Sequence, residues 1–410
     1  MSSKQRPLAA LLILSGLNFF NYVDRYVLFA VIPLIQKEFP RSDAEYGFLT
    51  TAFFICYMVT APFIGVLADR YPRKWLMVGG ATIWSAATLL TAVTNSFTAL
   101  LIRHTIVGLG EATFVTIAPS FLADLFSEEH RGRVFGWFYL NIGLGAAAGY
   151  EVGGHFSAAH GWRYPFYIAA VPGFLLGLAL LLIPEPKRGA KDLLAESAER
   201  TSIRGLARNG AFWTATLGMA MVTFALGGLS AWMPTFLNRI RHIPLQDANT
   251  YFGAITAVTT ISGTLLGGWM GDRLLARGKG AYYLVSAVTL LMGIPAMLGA
   301  IYVDGRLMYA AIFFAEFFLF LNTAPLNAAV VNSVGASIRA TAIAVNLFTI
   351  HLLGDVSSPT IIGWISDRST LQTGFVAAIA ATVVAAVILL YGMRFAPQIP
   401  VAKAGQGHSA

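Results

Sequence analysis

The stretch that decides the fold is LIRHTIVGLGEATFVTIAPSFLADL, residues 101–125. It is long and apolar enough to cross a membrane, which takes about 20 mainly apolar residues, yet it contains Arg103, His104 and Glu111. A carboxylate at the centre of a bilayer costs about 3 kcal/mol or more. Because Glu111 lies near the middle of the stretch, we expect it to face a cavity or a charged partner inside a helical bundle.

The composition of the whole chain is that of a membrane protein. Of its 410 residues, 56% are hydrophobic and 12% are charged, whereas a soluble domain has about 25% charged residues. A soluble globular enzyme is therefore excluded. The net charge of +8 does not indicate a nucleic-acid partner, because the basic residues lie mainly in short loops between apolar runs.

Twelve apolar runs are long enough to span a membrane as helices. They cover residues 8–35, 47–68, 75–94, 98–124, 134–155, 164–184, 211–237, 250–271, 281–301, 307–332, 340–364 and 371–393. The longest interior connection, residues 185–209, separates a first domain, 1–184, from a second, 210–410. The sequence thus predicts an all-α membrane protein of two six-helix bundles. Their central loop is either a solvated linker or a short helix on the membrane surface.

The lysine and arginine residues predict the orientation of these spans. With both termini inside, 19 of them fall on the inner side and 7 on the outer side. Cytoplasmic loops are the ones enriched in these residues. We therefore expect a multi-pass protein of the plasma membrane, or of the inner membrane if the cell is bacterial, with both termini in the cytoplasm.

A repeat relates the two halves of the chain. The sequence GVLADR at residues 65–70 has a counterpart, GWMGDR, at residues 268–273, an offset of 203 residues. Two parallel six-helix halves are the arrangement of major facilitator transporters. The repeat therefore predicts two pseudo-symmetric bundles with the major facilitator fold.

The first copy of this repeat resembles the major facilitator loop signature GxxxDRxxRK. The fixed positions are occupied by Gly65, Asp69, Arg70, Arg73 and Lys74. A glycine here allows a helix of the other half to come close, and we expect the charged residues to close the inner side by contacts that break when it opens. Asp272 and Arg273 are assigned the same gating role in the second half. The alternative is that the charges only anchor the loop inside the cell.

Polar residues also lie within the first run, at Asn21, Asp24 and Arg25. Adjacent residues point about 100° apart on a helix, so we expect Asp24 and Arg25 to face different surroundings. Burial and nearby charges set the pH at which a carboxyl group titrates, which makes Asp24 and Glu111 candidate proton carriers. The alternative is a structural ion pair that ties the first helix to the fourth.

The second half places its own polar groups among aromatic residues. Glu316 lies within FFAEFFLFLN, which ends at Asn322, and His351 and Asp355 lie within the eleventh run. Charged groups in the first half and phenylalanines in the second suit an amphipathic substrate, although most of these phenylalanines could instead face lipid. His351 is either a pH-sensitive group or an ordinary hydrogen-bond donor between helices.

The sequence contains no motif for a cofactor or for covalent catalysis. It has no phosphate-binding GxxxxGK[ST] loop, no metal-ligand spacing and no nucleophile–base spacing. We therefore predict no catalytic residue, no metal and no cofactor, with protons as the expected coupling ion.

These residues together resemble the Spinster family of the major facilitator superfamily. The most specific segments are NYVDRY at 21–26, VGLGEATFVTIAPSFLADLF at 107–126 and HLLGDVSSPTIIGWISDR at 351–368. The resemblance implies proton-coupled transport of lysophospholipids or sphingoid lipids such as sphingosine-1-phosphate, with roles for Asp24, Glu111 and Glu316. The family has an arginine where this chain has His104. Either local winding brings the preceding Arg103 into the cavity, or His104 takes part in the proton step.

The expected function is secondary transport of an amphipathic lipid across the bilayer, by alternating access in a monomer. One alternative is a proton-coupled symporter of organic anions such as sugar acids, in which Arg25 or Arg103 binds a small carboxylate. A further alternative is a lipid receptor that does not transport.

Overall fold

The computed structural model of the chain describes residues 5–188, 203–275, 280–335 and 338–396. All regular structure in these ranges is helical. The longer helices, numbered in chain order, are α1 (Gln5–Glu38), α2 (Asp43–Arg70), α3 (Arg73–Thr91), α4 (Phe97–Leu125), α5 (Glu128–His160), α6 (Tyr164–Ala179), α7 (Ile203–Ala207), α8 (Gly210–Arg239), α9 (Leu245–Leu275), α10 (Ala281–Tyr302), α11 (Arg306–Phe320), α12 (Thr323–Asn332), α13 (Arg339–Ile350), α14 (Ser358–Arg368) and α15 (Leu371–Gly392). The tenth predicted span is divided between α11 and α12, and the eleventh between α13 and α14. The prediction of an all-α protein with twelve spans is therefore confirmed.

The helices have the length and composition that a membrane requires. In the described ranges, nine segments are long and apolar enough to cross a bilayer, and α3, α5 and α9 complete the set of twelve. Large apolar side chains are exposed on their surfaces, among them Phe63 at 68%, Leu265 at 70% and Leu307 at 72%. Such extensive apolar exposure fits a lipid environment.

The chain packs as two compact units. The first comprises Met1–Ser197, Gly227–Val258 and Asp355–Ala377, and the second comprises Ala198–Leu226, Thr259–Gly354 and Ala378–Ala410. The second part of α8, the first part of α9 and all of α14 thus belong to the first unit, together with α1 to α6. Of the predicted central loop, residues 189–202 lie outside the described residues, and the division of the chain at that loop stays a prediction.

Small residues let α5 pack closely against α1 in the first unit. A Cβ atom added to Gly145 would lie 2.6 Å from the carbonyl oxygen of Phe19, and one added to Gly153 would lie 2.3 Å from the Cβ of Ala30. Distances this short leave no room for a side chain. The contact therefore fixes the position of α1, which provides several of the candidate site residues.

The break between α11 and α12 has a cause in the sequence. Pro325 has no N–H group and cannot donate to the carbonyl of Leu321, four residues earlier. That carbonyl lies against α9 in the second unit, where a Cβ on Gly267 would be 1.8 Å from the oxygen. The proline therefore interrupts the helix at the point where a glycine of the neighbouring helix makes space for the exposed carbonyl.

A polar cluster joins α1 to the connection between α5 and α6. The carboxylate of Glu38 accepts hydrogen bonds from Nη1 and Nη2 of Arg163, at 2.7 and 2.6 Å, and from the indole nitrogen of Trp162 at 2.8 Å. These bonds raise the pKa of Arg163. The cluster marks the end of the first unit that the charge pattern predicts to lie outside the cell, and this end is called the outer end below.

Candidate functional site

A buried ion pair between α1 and α4 is the centre of the candidate site. The Nη2 atom of Arg25 lies 2.7 Å from Oε2 of Glu111, and the exposed fractions of the two side chains are 12% and 0%. Glu111 thus has the charged partner that a carboxylate inside a membrane requires. Removing one member of such a pair leaves an uncompensated buried charge, which is strongly unfavourable.

Aromatic rings surround the guanidinium group of Arg25. Its central carbon lies 5.0 Å from the ring centroid of Tyr22, 4.8 Å from that of Phe53 and 5.1 Å from that of Phe54. A cation over an aromatic face is stabilised by the ring quadrupole, and more so away from water. The site therefore combines one positive charge with an apolar, aromatic wall.

Asp24 faces a different helix from its neighbour Arg25. Its side chain is buried, with 4% exposed, and its carboxylate accepts a hydrogen bond from the hydroxyl of Thr88 on α3. The 100° rotation between adjacent helical residues produces this divergence. The two charged residues of the first span thus connect α1 to α3 and to α4 separately.

Neither basic residue at the start of the fourth span pairs with Glu111. Arg103 donates a hydrogen bond to the carbonyl oxygen of Leu90 on α3, and His104 is buried with its ring stacked on Phe53 at 5.2 Å. Arg103 also lies about 12 Å from position 111 along the helix axis. The arginine beside Glu111 comes from α1, and the two alternatives for Arg103 and His104 stay predictions.

The second unit contains a separate buried carboxyl group. Glu316 on α11 is 2% exposed, and Oγ1 of Thr259 on α9 donates a hydrogen bond to it at 3.2 Å. Asn322, fully buried at the break before α12, donates to the carbonyl oxygen of Phe318 at 2.6 Å. These two predicted site residues lie six positions apart, with Glu316 on α11 and Asn322 in the break that follows it.

His351 and Asp355 form the two ends of a π-helical turn between α13 and α14. Such turns are rare and often occur at functional sites. Asp355 belongs to the first unit, where a Cβ added to Gly227 of α8 would lie 2.7 Å from the Cβ of the aspartate. Both side chains are partly buried.

At the opposite end from Glu38, Arg73 of the loop signature is buried in a charged cluster. It lies 2.7 Å from Asp124 of α4 and 3.3 Å from Glu185. Glu185 also accepts hydrogen bonds from the backbone N–H groups of Arg73 at 3.1 Å and Lys74 at 2.8 Å. One carboxylate thus caps the N-terminus of α3 and neutralises its first residue.

Other residues of the signature are exposed. Asp69 and Arg70 lie at the surface, and no described atom lies within 4 Å of the position that a Cβ on Gly65 would take. The expected close approach of a helix at Gly65 is therefore not present in this conformation. In the second unit, the hydroxyl of Tyr282 donates to Asp272 at 2.9 Å, and Arg273 lies 5.3 Å from the Trp269 ring.

A charged network at the outer end was not foreseen from the sequence. Arg239 of α8 donates to both oxygens of Asp43 at 2.6 and 2.9 Å, and Asp43 also accepts from Ser366 of α14 at 2.7 Å. Asp367 accepts from the backbone N–H groups of Asp43 at 2.7 Å and Ala44 at 3.0 Å. The one available signal was that Asp43 and Arg239 are charged residues beside the ends of predicted spans.

Two glycines bring α2 and α14 into backbone contact beside this network. A Cβ on Gly47 would lie 2.3 Å from the carbonyl oxygen of Pro359, and a Cβ on Gly363 would lie 2.4 Å from that of Asp43. The hydroxyl of Thr51 also donates to the carbonyl of Val356. The outer end of the first unit is therefore closed by paired helices as well as by charges.

Comparisons with known proteins agree with these features. The sequence matches the Major Facilitator Superfamily over residues 14–359. It is 36% identical to protein spinster homolog 3 of Danio rerio over 387 residues, which cover 89% of this chain and 78% of that protein. It is also 36% identical to the sphingosine-1-phosphate transporter SPNS2 of Danio rerio over 385 residues, 88% of this chain and 76% of the relative.

The fold is similar to that of a solved transporter structure. A bacterial homolog to the human lysosomal transporter Spinster, crystallised in an inward-facing and unoccupied conformation, superposes with a TM-score of 0.89. The match covers 96% of this chain and 98% of that chain at 24% sequence identity. The predicted major facilitator fold is therefore confirmed.

Proposed function

The chain belongs to the Spinster family of the major facilitator superfamily, and we propose that it moves an amphipathic lipid with an anionic head group, coupled to protons. It is an integral multi-pass membrane transporter and not an enzyme. The lipid class is that of the relative named a sphingosine-1-phosphate transporter. Its distribution of basic residues supports an orientation with both termini in the cytoplasm, and the proposed unit of transport is the monomer.

The observation that carries this proposal is the buried Arg25–Glu111 pair. Arg25 is held by Glu111 while that carboxyl group is ionised. Protonation of Glu111 removes its charge and releases the guanidinium group, which then binds the phosphate of the lipid through charge-assisted hydrogen bonds. A proton and an anionic head group thus enter the site together.

The surroundings of Arg25 suit the rest of an amphipathic molecule. The rings of Tyr22, Phe53 and Phe54 lie about the guanidinium group and present apolar surface to an acyl or sphingoid chain. A small sugar acid would leave this aromatic surface uncovered. The aromatic wall therefore favours a lipid over the organic-anion alternative.

Alternating access requires contacts that form and break at each end. The Asp43–Arg239 network and the α2–α14 glycine contacts close the outer end. For the outer end to open, these contacts must separate together. Gly65, which has space beside it, and the exposed Asp69 and Arg70 then supply contacts that close the inner side.

Transport by the purified protein in liposomes tests this proposal. Labelled sphingosine-1-phosphate and a labelled sugar acid are offered side by side, with and without an imposed pH gradient. We expect movement of the lipid, accelerated by the gradient, and none of the sugar acid. Movement of the sugar acid alone would overturn the proposed substrate, and lipid movement independent of the gradient would overturn the proposed coupling.

A further inference from the structure

The amide group of Asn21 is buried without a hydrogen bond. The residue has no exposed surface, and within the described ranges neither its amide oxygen nor its nitrogen has a partner. Two atoms of the neighbouring ion pair, Nε of Arg25 and Oε1 of Glu111, are also buried without a hydrogen-bond partner. Because buried polar groups are nearly always hydrogen-bonded, four unpartnered atoms around one ion pair call for an explanation.

These atoms belong to residues that meet at one place. Asn21 lies four residues before Arg25, on the same face of α1. Its amide is one of the groups that act on the carboxylate of Glu111, although no hydrogen bond of regular geometry joins the two. Arg25 contacts the other oxygen of that carboxylate at 2.7 Å. The three side chains therefore meet between α1 and α4, and the space considered below is the one among their unpartnered atoms.

The mixture of donors and acceptors identifies what this space would bind. Asn21 Nδ2 and Arg25 Nε are donors, whereas Asn21 Oδ1 and Glu111 Oε1 are acceptors. A cation has nothing to offer the two donors, and an anion would be repelled by Glu111 while that carboxyl group is ionised. A hydroxyl oxygen both donates and accepts, and a buried water molecule typically makes about three hydrogen bonds.

We propose that Asn21, Arg25 and Glu111 form a binding site for one hydroxyl oxygen, from a water molecule or an alcohol group of the transported molecule. Asn21 is the residue that makes this site specific for a hydroxyl group. The alcohol source rests on the proposed lipid substrate, because a sphingoid phosphate has an alcohol close to its phosphate. The water source does not depend on the substrate.

Thermal unfolding of Asn21→Leu tests for the bound oxygen. Leucine has a similar size and no polar atom. If the space is empty, the substitution removes two unsatisfied atoms and the Tm rises. If an oxygen is bound, its hydrogen bonds are lost and we expect the Tm to fall by about 2 °C.

Asn18→Leu is the matched control for this measurement. Asn18 lies one turn earlier on α1, is equally buried, and donates to the carbonyl oxygen of Phe138 at 2.9 Å. Its replacement shows how far the Tm falls when a satisfied amide is lost. A Tm of Asn21→Leu that is unchanged or raised while that of Asn18→Leu falls would overturn the proposal.

A second measurement tests for the bound oxygen if Asn21→Leu does not fold. An experimental structure of the unaltered protein, at a resolution that shows water, should contain density for one oxygen between the three side chains. Empty density there would overturn the proposal whether or not the protein transports lipid.

Lipid binding then separates the two sources of the oxygen. Sphingosine-1-phosphate and its 3-deoxy counterpart are compared on the unaltered protein and on Asn21→Leu. A preference of about tenfold for the alcohol, lost in Asn21→Leu, assigns the site to the substrate. Equal binding, together with a lowered Tm, assigns it to water. If neither lipid binds, the proposed substrate is overturned. The Tm and the density still test whether an oxygen is bound at the site.

Discussion

Replacing Gly47 with alanine should shift the protein toward a state in which its outer end is open. The added Cβ would lie 2.3 Å from the carbonyl oxygen of Pro359 and 2.7 Å from the Cα of Thr360. Both are backbone atoms of α14, so no side-chain rotation can relieve the contact. The helices must separate, and separation is the movement that opens this end.

The size of the effect follows from the cost of an overpacked contact. Inserting a methyl group where no space exists costs about 1–3 kcal/mol. At about 1.4 kcal/mol for each factor of ten, the equilibrium between closed and open outer ends shifts by roughly 5-fold to 150-fold. The substitution acts on the closed state alone, because the contact is absent when α2 and α14 are apart.

Gly79→Ala on α3 provides the control for this prediction, because Gly79 belongs to none of the described contacts that close either end of the protein. No described atom lies within 4 Å of the Cβ that it would add. Both variants gain the same helix propensity, about 1 kcal/mol, so the difference between them isolates the contact with α14.

Cysteine labelling measures the shift. Thr51, which donates to the carbonyl of Val356, is replaced by cysteine after Cys56, the single native cysteine, has been changed to serine. A membrane-impermeant maleimide applied from outside should label Gly47→Ala 5-fold to 150-fold faster than Gly79→Ala. Equal labelling rates in two folded variants would refute the reasoning.

Two further predictions concern the charged residues. Arg25→Ala should abolish lipid transport because it leaves Glu111 unpaired. Arg103→Ala should preserve transport and its pH dependence, since Arg103 contacts the α3 carbonyl of Leu90. Transport rates of both variants in liposomes test this, and loss of transport in Arg103→Ala would contradict the site assignment. Arg73→Ala removes the buried guanidinium group that contacts both Asp124 and Glu185 and should destabilise the protein by about 3–5 kcal/mol, seen as a lower Tm than that of Arg70→Ala at the exposed neighbouring position.

The twelve spans could be predicted because long apolar runs leave few structures possible in a membrane. The loop signature and the repeat also predicted the major facilitator fold, because both are recognised from the spacing of nearby residues. The division of the tenth span was missed, although Pro325 was a visible cause.

The partners within the site could not be predicted from spacing alone. Which arginine meets Glu111 depends on how α1 and α4 rotate against each other, and that rotation is set by packing such as the Gly145 and Gly153 contacts of α5. The Asp43–Arg239 pair joins residues that are 196 positions apart, so no local pattern marks it. The polar residues themselves were identifiable, because charge inside an apolar run is costly.

The most direct test of the central claim is transport by Glu111→Gln in liposomes with and without a pH gradient. The amide retains the size of the carboxylic acid but cannot release a proton. The variant should fold, and should move sphingosine-1-phosphate at the same rate under both conditions, while the unaltered protein responds to the gradient. A Glu111→Gln variant whose transport responds to the gradient as fully as the unaltered protein would contradict the proposed role of Glu111.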